Sequence, residues 1–432
     1  MPSKRFYRHR YTAILAILLV LRAWSAANGA DSYTRTYSVD EIVRMARSNY
    51  ALLAAEREKA NESRYAAGKA GEVNNPTLGF EYAQKRLGDK GYRFFGINAS
   101  QDIPVTGKRT LRYEIAKIEE NLALLSFDEM NTFIEHEVTR LSYEYAVSLF
   151  RSQHIKDRLR RLALINSYIK GRILIAPQKI VESRIIGTKI LTLERDVQRL
   201  QTDQRLAFEK LNLYAGLKDG SPPFIQVDWF DSAPEVSLPE ILEKSRTRGF
   251  AIRRQKEYLK KAEKHIALAR RDPYPDPGLS VYYNEQNSSP TERTFGVGIS
   301  FPIPLFSMNK NEIARFESSA RSERALLEFA ERAVESELLR LHAEYEFASA
   351  QLKRFPVKMM DELENDMRYA DEEFRKGRVD FQTYFEMERQ THETLEYVLE
   401  TQLSLVKFYR GILFLTGGTE KPAGRNTGET RQ

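Results

Sequence analysis

The hydrophobic positions of the chain repeat with two different periods, and these periods locate its elements. After Gly107, apolar residues recur at alternating spacings of four and three, which is the heptad spacing of helices packed in coiled coils. The first of them are Leu111, Ile115, Ile118, Leu122 and Leu125. With few helix breakers before Gly171, this pattern predicts one helix of about 60 residues, about 90 Å long at 1.5 Å per residue. Such a helix is longer than any compact domain core.

The period falls to two in four short segments, which predicts strands with one apolar and one polar face. The apolar positions of these strands are Leu78, Phe80, Tyr82, Phe95, Ile97, Leu279, Val281, Tyr283, Phe295, Val297 and Ile299. The segments that join the strands of each pair, residues 84–92 and 285–293, are polar and rich in turn formers. Alternation over about ten residues is typical of barrel walls that face lipid outside and water inside.

Four strands are too few to close a barrel. An open sheet edge cannot lie in hydrocarbon, because its backbone groups would lack hydrogen-bond partners. Strands from several copies must therefore combine, and a dimer would supply about eight strands whereas a trimer would supply about twelve. The residues leave this choice open. The alternative is an exported periplasmic coiled-coil scaffold or adaptor, whose strands pack over its own helices and never meet lipid.

The chain contains an internal repeat, since passages about 200 residues apart match in order and spacing. Matching passages are Asn75 to Leu78 with Asp276 to Leu279, Phe95 to Pro104 with Phe295 to Pro304, and Tyr145 with Tyr345. We predict a first structural repeat at 31–217, a linker at 218–236 and a second repeat at 237–417. Each repeat consists of a helix, two strands, a long helix, a tight turn and a returning helix. Pro356 interrupts the second long helix alone, which predicts a kink there.

The N-terminal segment, residues 1–30, has the composition of a secretory signal peptide. Basic residues precede an apolar run from Ala13 to Leu21 and then small residues, and we expect cleavage after Ala27 or Ala30. The apolar run is only about half of the roughly 20 residues that a membrane-spanning helix needs. The opposite end, residues 418–432, is expected to be a disordered tail.

The net charge of +7 comes mainly from this leader, which holds five of the 67 Lys and Arg residues and no acid. Its removal leaves 67 minus 5, or 62, basic residues against 60 acidic ones. A nearly neutral chain argues against a nucleic-acid-binding protein. The chain has no cysteine, so packing rather than disulfides must hold an exported fold together.

The two repeats behind a leader resemble the TolC-like outer-membrane efflux factor family over nearly the whole mature chain. The passages Gln101 to Arg109 and Pro302 to Phe306, with Asn309 and Glu312 to Ala314, are similar to its cobalt-zinc-cadmium (CzcC-like) heavy-metal efflux branch. The resemblance implies a mainly α fold with a small β part. In a homotrimer, long coiled-coil helices would form an α-barrel across the periplasm, and four strands per protomer would contribute to a pooled 12-stranded outer-membrane β-barrel.

The same resemblance implies a function. The protein would be the exit duct of a tripartite efflux system in a Gram-negative bacterium, a passive conduit for metal ions or small toxic solutes. Its partners would be a periplasmic adaptor (membrane fusion) protein, an inner-membrane RND-type pump and outer-membrane lipid. The residues do not select the transported substrate.

Two turns at the far end of the helical pairs are candidates for adaptor docking. The candidate residues are Gly171, Arg172, Ile173, Leu174, Ile175, Gly377, Arg378 and Val379. A structural turn by itself also explains the glycines, because glycine tolerates a positive φ. The apolar triplet at 173–175 beside an exposed turn favours contact with a partner.

The resemblance also implies a constriction of the tunnel by carboxylates six and nine residues beyond the second turn glycine. These positions hold Thr383 and Glu386, so only Glu386 keeps the acid. A ring of Glu386 copies would favour cations, whereas the alternative is a solvated helical surface residue. Asp380, an expected helix N-cap, and Glu388 are further candidates.

No catalytic, cofactor or metal site is expected from the sequence. The six histidines are scattered without a metal-ligand spacing: His9, His136, His154, His265, His342 and His392. The segment from Gly107 to Thr110 differs from a phosphate-binding loop, because Asp102 stands where its first glycine should be and Arg109 where Ser or Thr should be. We therefore expect a protein that is not an enzyme.

Overall fold

The computed structural model describes residues 35–87, 90–171, 177–217, 223–287, 290–304 and 308–418. The predicted signal peptide and the tail beyond residue 418 lie outside the described residues. The first half of the chain comprises β1 (Thr36–Ser38), α1 (Val39–Asn49), α2 (Ala51–Ala70), β2 (Thr77–Leu87), β3 (Lys90–Asp102), α3 (Lys108–Lys170) and α4 (Gln178–Ala215). The second half comprises β4 (Phe224–Gln226), α5 (Leu238–Arg248), α6 (Phe250–Arg271), β5 (Gly278–Asn287), β6 (Glu292–Ser300), α7 (Lys310–Arg354), α8 (Met359–Arg375) and α9 (Phe381–Leu415). This architecture confirms the predicted mainly α fold with a small β part.

Helix α3 confirms the long helix that the heptad pattern predicts. It has 63 residues, which corresponds to about 95 Å at 1.5 Å per residue. It begins directly after Gly107, whose φ of 73° lies in the left-handed region where glycine is favoured. The heptad positions Leu111, Ile115, Ile118 and Leu125 are all buried.

The second long helix is divided rather than kinked at Pro356. Helix α7 ends at Arg354 and α8 begins at Met359. Proline has no N–H to donate, and its ring clashes with the carbonyl of the preceding turn, so a helix commonly ends at this point. The expected single helix at the start of each repeat is likewise two helices, which meet at Tyr50 in the first half and at Gly249 in the second.

Two tyrosines at matching positions of the repeats hold the segment between the halves. Tyr145 on α3 donates its hydroxyl to the carbonyl of Pro223 at 2.9 Å, and Tyr345 on α7 donates to the carbonyl of Pro234 at 2.6 Å. Strand β4, inside the segment predicted as a linker, also pairs in parallel with β1. The segment is therefore attached to both long helices and to the first strand.

The core is a series of clusters along the helices rather than one centre. One cluster packs α1, α3 and α4 around residues such as Ile134 and Leu211. A second packs α5, α7 and α9 around Leu338 and Leu405. A third joins α3, α4, α8 and α9 at the end of the bundle that carries the turns. This distribution is typical of an elongated coiled-coil body.

Candidate functional site

The four longer strands form one antiparallel sheet in the order β2-β3-β5-β6. Within the described ranges, the outer edges of β2 and β6 have no strand beside them. The strands extend into the segments that were expected to join them, because the ladder of β2 and β3 continues to the pair Leu87 and Lys90. The polar segments expected to connect the strands are therefore largely part of the sheet.

The register aligns the predicted apolar positions into rows that cross all four strands. One row consists of Phe80, Ile97, Tyr283 and Phe295, and the next of Leu78, Ala99, Val281 and Val297. Leu279 and Ile299 pair in a further row, and Tyr82 pairs with Phe95 at the opposite end of the band. Four rows spaced two residues apart span about 20 Å along the strands.

This apolar face is uncovered. Phe80 is 68% exposed, Phe295 is 76% exposed and Val297 is 70% exposed, although side chains of this kind are usually buried in soluble proteins. The other exposed members of the rows are Leu78, Tyr82, Phe95, Leu279, Val281 and Ile299. A continuous apolar patch of this size marks a surface that contacts lipid or another protein.

The opposite face of the sheet carries small and polar residues at the intervening positions. One of its rows consists of Gly79, Asn98, Tyr282 and Gly296, and the next of Glu81, Gly96, Asn284 and Thr294. The sheet thus has one apolar and one polar face, as its alternation predicts. None of the described helices has an apolar stretch long enough to cross a lipid bilayer.

The two candidate turns at the end of the bundle differ in backbone conformation. Gly377 has a φ of 76°, which accounts for a glycine there, whereas Gly171 has a φ of −64° that any residue adopts. Arg378 pairs with Glu373 at 3.2 Å, and Val379 packs against the buried cluster of α3, α4, α8 and α9. The candidates Arg172, Ile173, Leu174 and Ile175 lie outside the described residues.

The three constriction candidates lie close together at the start of α9. Asp380 is the N-cap, as predicted, since its Oδ1 accepts the backbone N–H of Thr383 at 2.9 Å and its Oδ2 accepts the Thr383 hydroxyl at 2.8 Å. These bonds lower the pKa of Asp380. Glu386 is half exposed and pairs with Arg389 at 2.6 Å, and its hydrogen bond to Arg389 lowers its pKa. All three residues line a shallow surface depression.

Glu388 lies inside the protomer instead. Its carboxylate is 3% exposed and accepts a hydrogen bond from Arg158 on α3. Beside this pair the rings of His154 and His392 stack with centroids 5.5 Å apart. Sequence reasoning missed this layer, although the four-residue spacings of His154 to Arg158 and of Glu388 to His392 place each pair on one helix face. In the part of the chain that the structure describes, no group of acidic, His or Cys side chains could hold a metal ion.

Solved structures of outer-membrane channels share this fold. CusC, described in terms of folding and transmembrane channel formation, is 17% identical with a TM-score of 0.68, over 89% of this chain and 93% of that chain. The MtrE outer membrane channel of Neisseria gonorrhoeae, in its open state, is 14% identical with a TM-score of 0.69, over 88% and 89%. The outer membrane protein VceC of Vibrio cholerae is 12% identical with a TM-score of 0.68, over 88% and 96%. No protein-family profile matches the sequence, and no curated protein matches it significantly.

These similarities confirm the TolC-like fold class that the sequence predicts. They cover both the helical body and the sheet, because about nine tenths of this chain aligns with each of these proteins. None of the three is described as an enzyme.

Proposed function

We propose that this protein is the outer-membrane exit duct of a tripartite efflux system and that it acts as a homotrimer. Each copy contributes four strands to a shared barrel of about twelve, and its helices surround a tunnel through the periplasm. Solutes pass without covalent chemistry. The fold shared with outer-membrane channels supports this proposal.

The single observation that carries the proposal is the uncovered apolar face on a sheet with two open edges. Water is a poor environment for the Phe80 and Val297 rows, and lipid is a poor environment for unpaired edge strands. Both problems are solved at once if β6 of one copy pairs with β2 of the next until the sheet closes. The apolar rows then face lipid and the polar rows face the lumen.

We assign the docking and gating regions to the end of the bundle that carries the two turns. We assign the adaptor-docking tip to Gly171, Arg172, Ile173, Leu174 and Ile175 in one turn and to Gly377, Arg378 and Val379 in the other. We assign the constriction to Asp380, Thr383 and Glu386, which share one surface of α9. An inner-membrane pump of RND type, linked by an adaptor, supplies the energy, and metal ions or small toxic solutes are the cargo.

The exported scaffold requires that the sheet pack over helices of its own chain. In a single copy, however, Phe80, Phe295 and Val297 are exposed, so this face of the sheet does not pack over helices of its own chain. A scaffold would have to cover the same face with another protein, and the polar opposite face would then have no separate role.

Fractionation and reconstitution test the proposal. We expect the mature protein in the outer-membrane fraction, as an oligomer that survives detergent at low temperature and dissociates on heating. The purified oligomer should conduct ions across a planar lipid bilayer. A monomer in the soluble periplasmic fraction, or an oligomer that carries no current, would contradict the duct.

A further inference from the structure

The polar face of the sheet places glycines directly across from larger side chains. Gly79 pairs with Asn98, Gly96 pairs with Asn284, and Gly296 pairs with Tyr282 on the neighbouring strand. A β-strand side chain normally projects from the sheet, but beside a glycine it has room to lie across the neighbouring backbone. The distances at these glycines show that this happens here.

Tyr282 occupies the space that a side chain at residue 296 would need. A Cβ built on Gly296 would lie 2.9 Å from Cε1 of Tyr282 and still closer to Cζ and Oη. Real Cβ contacts are essentially never this short, so the phenol ring lies flat over the glycine. Any larger residue at 296 must displace the ring.

The side-chain amides of Asn284 and Asn98 lie over their paired glycines in the same way. A Cβ on Gly96 would lie 2.8 Å from Oδ1 of Asn284, and a Cβ on Gly79 would lie 3.2 Å from Cγ of Asn98. The three side chains therefore lie along the wall. Among them, Tyr282 is the largest, so its orientation has the largest effect on the space in front of the polar face.

We propose that Gly296 holds Tyr282 flat against the wall and thereby sets the width of the barrel section of the duct. With glycine at 296, the phenol lies against the wall and the lumen stays wide. This inference rests on the proposed function, because it needs the polar face to line the passage. In a symmetric trimer each residue occurs three times at one level, so a single substitution moves three rings together.

We expect the displaced ring to rotate away from the wall into the lumen. Its far end collides with the new Cβ, and the backbone of the sheet lies beneath it. Because the colliding atoms are at the tip of a rotatable side chain, the strand itself need not move. We therefore expect Gly296→Ala to fold and assemble while narrowing the passage.

The test compares single-channel conductance and polymer exclusion in planar bilayers. Gly296→Ala should lower the conductance. It should also exclude polyethylene glycols that are small enough to enter the unaltered protein. Adding Tyr282→Ser to this variant should restore both values, because the obstructing ring is gone. Gly91→Ala is the control for the glycine-to-alanine change itself: it lies on β3, on the same face as Phe95, and nothing lies within 4 Å of a Cβ at that position.

The outcomes separate this inference from the proposed function. An unaltered protein without current contradicts the duct itself. A conducting unaltered protein with unchanged conductance and cut-off in Gly296→Ala overturns the role of Tyr282. If Gly296→Ala fails to assemble, the variant that also carries Tyr282→Ser decides, since removal of the colliding ring should restore assembly, and a double variant that still fails to assemble overturns the inference.

Discussion

Nε of Arg158 on α3 donates a hydrogen bond to Oε1 of Glu388 on α9 at 2.5 Å, in a site where the two side chains are 1% and 3% exposed. The stacked rings of His154 and His392 extend this polar layer. Buried apolar residues flank the layer along the two helices, namely Ile155 and Leu162 on α3 and Leu395 on α9. We expect the pair to fix the alignment of α3 and α9, because a shift of either helix would leave a charge buried without its partner.

Removal of one partner of the Arg158–Glu388 pair should destabilise the fold much more than removal of both. We expect Arg158→Met to lower the free energy of unfolding by about 3–5 kcal/mol, because Glu388 is left as a buried uncompensated charge. The double variant Arg158→Met, Glu388→Met should lose far less stability, since two apolar side chains replace the charged pair. Denaturant unfolding of the purified protein, followed by helical circular dichroism, measures both.

An exposed pair provides the control for this experiment. Arg332 and Glu328 are 77% and 65% exposed on α7. Arg332→Met should change the free energy of unfolding by less than about 0.5 kcal/mol, as is usual for surface pairs. If Arg158→Met were equally mild, the buried pair would have no role in holding α3 to α9.

The stacked histidines predict a loss of stability in mild acid. Burial lowers the pKa of His154 to about 2 and that of His392 to about 4. An unfolded histidine titrates near 6.5, so below about pH 6.5 the two histidines bind protons in the unfolded state but stay neutral in the folded state. Stability should therefore fall as the pH decreases from 7 towards 4.

The charged groups around the two rings act on these pKa values in both directions. Arg158 and Arg161 on α3 and Lys189 on α4 disfavour a charge on the rings, whereas Glu388 and Asp196 favour one on His392. We expect the variant His154→Gln, His392→Gln to lose less stability between pH 7 and pH 5 than the unaltered protein, as measured by thermal unfolding. Parallel pH profiles for the two proteins would refute the role of the histidines.

The sequence predicted the elements whose cause is local. The heptad spacing after Gly107 predicted α3, and alternation predicted which residues share the apolar face of the sheet. It did not predict where β2 and β3 end, because residues 84–92 were expected to connect the strands whereas the ladder continues to Leu87 and Lys90. Backbone hydrogen bonds sustain a strand where both faces are polar, so side-chain pattern alone underestimates its length.

The interior layer could not be predicted for a different reason. Glu388 on an amphipathic helix resembles the many solvated glutamates of the chain, and its partner Arg158 is 230 residues away. Only the packing of α9 on α3 brings them together. Likewise, the two turn glycines look equivalent in the sequence, yet Gly377 has a positive φ and Gly171 does not.

This difference between the turn glycines predicts unequal effects of alanine. Gly377→Ala should destabilise its turn by about 1 kcal/mol, because an L-residue is strained in the left-handed region. Gly171→Ala should be neutral or slightly stabilising, because its φ suits alanine and a Cβ would lie 3.6 Å from the nearest atom. Limited proteolysis and hydrogen exchange at the two turns measure this, and Gly377→Asn should behave more like the glycine. Equal effects at both turns would contradict the assigned conformations.

The constriction assigned to Glu386 predicts a change in ion preference. In bilayers with a salt gradient, Glu386→Gln should lower the preference for cations, which the reversal potential reports. Glu393→Gln is the matched control, because Glu393 pairs with the same Arg389 at 2.7 Å and is 48% exposed, against 49% for Glu386. The backbone positions of the two residues are about 10 Å apart along the axis of α9, at 1.5 Å per residue. An unchanged reversal potential in Glu386→Gln removes this residue from the constriction.

A pair of substitutions on β6 distinguishes a membrane barrel from a soluble sheet. Val297 is on the apolar face and Thr294 on the polar face, and both are exposed in the single chain. If the apolar face meets lipid, Val297→Lys should cost about 2–4 kcal/mol per copy near the bilayer centre, whereas Thr294→Lys should be tolerated in the lumen. In a soluble sheet both side chains would face water, and each substitution would change the free energy of unfolding by less than about 0.5 kcal/mol. The two variants would then be equally stable.

The readout for this pair is the amount of heat-sensitive oligomer in the outer-membrane fraction. We expect Val297→Lys to abolish most of it and Thr294→Lys to retain it. Total expression of the two variants should be compared in the same cells, so that reduced synthesis is not mistaken for failed assembly. Because lysine is introduced at both positions, net charge and helix content do not differ between the variants. Equal amounts of oligomer would show that lipid does not contact the apolar rows, and the shared barrel would have to be abandoned.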